Sequence, residues 1–131
     1  MRLACRLTEE AYLAGQCVYV WLDDPIELQK FDEMLWTFSD RSFVPHERYE
    51  SEQQWQDTPV LLSCDASPPQ PFDLLVNLGG AVPPAASQAR QIAEIVGGDE
   101  SRRQAGRARF RQYREHGLTP QTHNMSADRP P

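Results

Sequence analysis

Arg103, Arg107, Phe110 and Arg114 stand at i, i+4, i+7 and i+11, a spacing that places them along one side of an α-helix. Guanidinium forks pair with carboxylates in bidentate fashion, and a ring beside them packs an apolar group. The chemistry this stripe suits is capture of an anionic peptide that also carries an apolar anchor. A solvated helix face would use the same residues. The opposite side offers only Ala105, Gly106, Arg109 and Tyr113, so the helix is weakly amphipathic and is expected to pack shallowly. That weakens a purely structural account of its arginines.

A second constellation lies in "LWTFSDRSFVPH", residues 35–46. Leu35 continues the helical face begun by Leu28 and Phe31, whereas Trp36 falls about 100° further round. Phe43 and Pro45 follow in a polar loop. Aromatic residues on a helix end and a loop are common anchors of protein–protein interfaces. They also plug the ends of domains, and the residues alone leave both readings open.

Little else points to catalysis. His46, His116 and His123 lack metal-ligand spacing, and neither a GxSxG elbow nor a GxxxxGK[ST] loop is present. The turn 77–80 (Asn77, Leu78, Gly79, Gly80) follows a strand, where α/β proteins often bind ligands. A small nucleotide- or phosphate-binding enzyme using this turn is the alternative to a binding module, although two glycines equally make a tight turn. The pairs Asp23–Asp24 and Asp32–Glu33 diverge as neighbours and read as a cap and a solvated face. Cys64 reads as a small buried hydrophobe.

Charge and cysteine usage narrow the classes. The net charge is −6, which disfavours a molecule that coats nucleic acid. Residues 1–98 hold 15 acidic and 6 basic residues, whereas residues 99–131 hold 4 acidic and 7 basic. Six arginines fall between Arg102 and Arg114, and Lys30 is the only lysine. An acidic body with one arginine-rich element marks a localised anion-binding surface. Direct binding of nucleic acid through that helix is a further rival. Cys5, Cys17 and Cys64 are odd in number and widely spaced, which fits reduced thiols rather than a disulfide frame or a zinc site. With no basic-then-apolar leader and no membrane-length apolar run, a cytoplasmic location is expected. No cofactor or metal is expected either.

The elements that must position these residues form an α/β series. Leu3, Leu7, Ala11 and Ala14 predict a helix that Gly15 terminates. "CVYVW" (17–21) predicts a strand. Asp24 and Pro25 open the second helix. "PVLLSC" and "FDLLVNL" are unalternating apolar runs, as strands covered on both faces require. "VPPAASQARQ" reads as a turn and short helix, and "IAEIV" as another strand. Asp99, Glu100 and Ser101 open the arginine helix, which Gly117 ends. Helices alternating with buried strands predict a three-layer α/β domain with a mainly parallel sheet over residues 1–117. Residues 118–131 carry few large apolar side chains and are expected to form a disordered tail.

"DEMLWTFSDRSFVPH" together with "RFRQYREHGLTP" resembles the chi-subunit family of bacterial DNA polymerase III, over nearly the whole predicted domain. The resemblance implies a Rossmann-like fold and a non-catalytic clamp-loader accessory role in DNA replication. It implies two partners: the psi subunit and the acidic C-terminal tail of the single-stranded DNA-binding protein. Carried over by position, the tail pocket falls on Val96, Arg103, Arg107 and Phe110, and the psi-facing surface on Trp36, Phe43 and Pro45. A helicase is a further candidate partner at the aromatic surface, and contact with DNA would be indirect. Family members often have Lys at position 103 and Tyr at 110; here the charge and the ring remain and the hydroxyl does not. They also begin with a β-strand ahead of the first helix, so the resemblance implies that this strand is lacking or lies upstream, with a gap or an exposed edge in the sheet.

Overall fold

A computed structural model describes residues 2–38, 44–48, 58–64, 72–83, 86–96 and 100–124. Helix α1 spans Arg2–Leu13, strand β1 Val18–Trp21 and helix α2 Pro25–Thr37. Strands β2 (His46–Arg48), β3 (Val60–Ser63) and β4 (Phe72–Asn77) follow, then a 3-10 turn at Ala86–Gln88, β5 (Ala89–Val96), helix α3 (Glu100–Glu115) and β6 (Gln121–Asn124).

Local chemistry sets the helix ends. Asp24 is extended and its Oδ1 accepts a hydrogen bond from the Glu27 amide at 2.8 Å, with Pro25 in the first turn. This satisfies one of the amides that a helix N-terminus leaves without a partner. Helices α1 and α3 both stop at a glycine with positive φ, Gly15 at 80° and Gly117 at 75°. In each case the next residue's amide returns to a carbonyl five residues back, Gln16 to Ala11 and Leu118 to Tyr113.

The six strands form one parallel sheet in the order β2-β3-β1-β4-β5-β6, each hydrogen-bonded to its neighbour. No gap interrupts these strands. Strand alternation divides the interior. Val18, Val20, Leu62, Val76, Ala93 and Ile95 meet Leu28, Phe31 and Leu35 of α2 and Ala4, Cys5 and Ala11 of α1. Tyr19, Leu61, Leu75 and Ile92 share the other face with Tyr113 of α3. The architecture is thus the Rossmann-like three-layer fold: α1 and α2 on one face, α3 against β5 on the other.

Two strands escaped the sequence reading. Strand β2 is three residues long and lies at one edge, too short to show an apolar period. Strand β6 corrects the expected tail boundary at 118: residues Gln121–Asn124 pair with β5 in the register Ala93↔Gln121 to Val96↔Asn124. The gain here is hydrogen bonding along the open edge of β5, which needs no large apolar side chain. Residues 125–131, where the rest of that tail expectation falls, lie outside the described residues. So does Phe43.

Candidate functional site

Val96, Arg103, Arg107 and Phe110, named from the sequence, line one open cleft of about 850 Å³ together with Gln104, Gly106, Arg111 and Thr122. Val96 closes β5 and points to the α3 side, as Ile92 and Glu94 do. Gly106 is what lets the helix come down on it. A Cβ at Gly106 would stand 3.1 and 3.2 Å from the two Val96 methyl carbons, so a larger residue would require the Val96 side chain to give by a few tenths of an ångström. Thr122, in register with Glu94, contributes from β6. Arg103 and Arg107 are exposed and Phe110 is half-buried. Arg107 Nη2 lies 3.6 Å from Glu100 Oε1 across exposed surface. Arg114, the fourth member of the sequence stripe, is exposed and is not among the described lining residues.

The cleft therefore has an apolar floor of Val96, Gly106 and Phe110 beneath a row of guanidinium groups at 103, 107 and 111. Such a surface takes carboxylates above and a ring or aliphatic group below.

The inner side of α3 corrects the expectation of shallow packing. Arg109 and Tyr113 are buried, and Arg109 Nε donates to Glu94 Oε1 at 2.6 Å. Tyr113 Oη donates to Glu94 Oε2 at 2.8 Å, and Asn77 Nδ2 donates to the same oxygen at 2.8 Å. Arg109 Nη1 also reaches the Gly80 carbonyl at 3.2 Å. Burial, and then the neighbouring Glu94 carboxylate, hold the Tyr113 hydroxyl protonated well above the usual tyrosine range. One arginine of the cluster is thus structural. It locks α3 to β4 and β5 and fixes the floor of the cleft. The sequence did carry a signal for this network: Glu94 interrupts the apolar strand "IAEIV", and a buried carboxylate requires partners.

The turn 77–80 is occupied by the protein's own groups. Asn77 Oδ1 accepts from the Gly79 amide at 2.9 Å, and Asp23 Oδ1 accepts from the Gly80 amide at 2.8 Å. This is the crevice beyond the carboxyl ends of β1 and β4, where strand order reverses. Its lining includes Asp23, Asp24 and Glu27, opposed by Arg102 and Arg109. Three carboxylates, one of them already bonded to a glycine amide, oppose a phosphate. Among the described residues, no group of three His, Cys, Asp or Glu side chains could hold a metal ion. No helix of the described residues is long and apolar enough to cross a membrane.

Trp36 is 46% exposed. Its ring centroid lies 4.2 Å from that of His46 at a 41° tilt, and Pro45 beside it is half-buried. Leu28, Phe31 and Leu35 are buried as the stripe required. Asp32, read as part of a solvated face, instead accepts from His46 and Arg48. Cys64 packs half-buried against the core, and among the described residues none of the three cysteines forms a disulfide.

These features define a Rossmann-like α/β domain with an acid-lined crevice at its strand ends and an arginine-rimmed cleft on its last helix. The DNA polymerase III chi subunit (HolC) family matches residues 1–121, and the chain belongs to that family. It is 34% identical over 125 residues to DNA polymerase III subunit chi of Pseudomonas aeruginosa, covering 95% of this chain and 86% of the relative. It is 25% identical over 122 residues to the subunit of the same name from Escherichia coli K12, covering 92% and 82%.

Proposed function

We propose that this chain is a non-catalytic adaptor of the replisome. It joins the clamp loader, through the psi subunit, to the acidic C-terminal tail of single-stranded DNA-binding protein. The observation that carries the reading is the convergence of Val96, Arg103, Arg107 and Phe110 on one cleft. Tail carboxylates pair with the arginines, and the apolar end residue settles on Val96, Gly106 and Phe110. Psi docks on the surface of Trp36, Phe43 and Pro45. DNA is met through the protein that coats it, because the acidic body repels naked strands.

Fluorescence anisotropy with a labelled peptide ending in Asp-Asp-Ile-Pro-Phe tests the cleft. Binding that weakens with salt and requires the final Phe is expected. Arg107→Ala removes charge-assisted contacts of about 1.5–3 kcal/mol and weakens binding at least about tenfold. Equal binding by wild type and Arg107→Ala would place the peptide elsewhere. Tight, salt-sensitive binding to naked single strands would instead favour direct nucleic-acid recognition.

A further inference from the structure

The side chain of His46 is 0% exposed although β2 is an edge strand. Its Nδ1 lies 2.7 Å from the Val44 carbonyl oxygen, and its Nε2 lies 2.8 Å from Oδ1 of Asp32 on α2. Arg48 Nε donates to the second oxygen of the same carboxylate at 3.0 Å. Asp32 thus ties two side chains of β2 to α2. One helical turn beyond Asp32, Trp36 lays its ring on the imidazole at 4.2 Å. The buried ring therefore supports the half-exposed indole from beneath; the Val44 oxygen and the Asp32 carboxylate both accept, so the ring bonds both together only when each of its nitrogens carries a proton.

An exposed indole without such support would sample several rotamers and would have to be ordered when a partner arrives, at a loss of affinity. We propose that His46, held by Asp32 and by the Val44 carbonyl, is a positioning residue for the aromatic docking face. It fixes Trp36 and Pro45 before the partner binds. The inference rests on the reading of Trp36 and Pro45 as a partner's landing site.

The test is a double-mutant cycle on psi binding, with peptide binding to the α3 cleft as the internal control. His46→Ala is expected to weaken psi binding about two- to tenfold, the scale of freezing one rotamer-rich side chain. In a Trp36→Ala background the same change is expected to have almost no further effect. Peptide binding at the cleft stays at the wild-type level. Equal losses in both backgrounds would overturn the proposal, since His46 would then act directly on the partner. A parallel loss of peptide binding would overturn it as well, since the role would then be general folding. Should His46→Ala unfold, His46→Phe keeps a ring under Trp36 but loses both hydrogen bonds, and the cycle is run with it.

A second readout needs no partner. In protein labelled with 5-fluorotryptophan, the ¹⁹F resonance of Trp36, assigned by its absence in Trp36→Phe, should broaden or split in Asp32→Ala. An unchanged Trp36 resonance would overturn the positioning role. If wild-type protein fails to bind psi, the docking reading fails, and the ¹⁹F result alone decides whether His46 and Asp32 hold the indole.

Discussion

Replacing Arg109 by Met should unfold this protein far more readily than replacing any of its exposed arginines. Arg109 and Glu94 are 7% and 1% exposed and meet at 2.6 Å. Without the guanidinium, Glu94 keeps Asn77 and Tyr113 as donors but loses its countercharge. Removing one member of a buried pair typically costs 3–5 kcal/mol, a large part of the roughly 5–15 kcal/mol that holds a domain together. For a domain of this size that corresponds to a fall in Tm of about 10–20 °C. The exposed pair Arg107–Glu100, at 3.6 Å with both side chains more than 60% exposed, supplies the control: breaking it should cost under about 1 kcal/mol. Urea unfolding followed by circular dichroism measures both. The double variant Glu94→Gln/Arg109→Met is expected to recover much of the loss, because it leaves no unpaired buried charge. If Arg109→Met falls within about 0.5 kcal/mol of wild type, the scale of an unremarkable surface change, or if the double variant is no more stable than the single one, the reasoning about this pair is wrong.

Further outcomes follow from other contacts. Glu100→Gln removes the carboxylate that Arg107 faces within its own helix, so the acidic peptide should bind up to about fivefold tighter in the anisotropy assay. Tyr113 keeps its proton in the folded state after unfolded tyrosines lose theirs. Its contribution is therefore complete below the usual tyrosine range and declines as pH rises above about 10; Tyr113→Phe should flatten that alkaline decline in a pH series of urea melts. Asp24→Ala removes the cap of α2 and should lower stability by about 1 kcal/mol in the same melts. Trp36→Ala should weaken psi binding and leave cleft binding intact; loss of both would make the ring a core residue.

The helices and buried strands were legible because their signals are local. Asp24–Pro25, Gly15 and Gly117 mark helix ends by backbone chemistry, and "FDLLVNL" could hardly be anything but a covered strand. The cleft was legible in part, because its arginines sit on one helix and share that helix's period. Thr122 was not, since it reaches the cleft only through pairing between β5 and β6. Position along the chain does not announce such a contact. The burial of Arg109 is hidden for a related reason. On a helical wheel it is one more arginine, and its burial is set by Glu94, Tyr113 and Asn77 on three different elements. Strands β2 and β6 are short and sparing of large apolar residues, so ladder formation rather than side-chain pattern defines them.

The two edges of the sheet have a mechanical meaning. Strand β2, beside Trp36, and strand β6, beside the cleft, stand at opposite ends of the order β2-β3-β1-β4-β5-β6. Five interstrand steps of about 4.8 Å set them roughly 24 Å apart. If psi held one edge and the tail the other, as proposed, the molecule would be a link in a line under load. A pull between those edges runs across the strands, along the hydrogen bonds themselves, so each ladder bears the whole force in turn. Nothing in that geometry lets the strands share load as they would in sliding past one another. The helices that bridge neighbouring strands, and the Glu94–Arg109 lock on the cleft side, then bear on how much tension the link withstands before its weakest ladder parts.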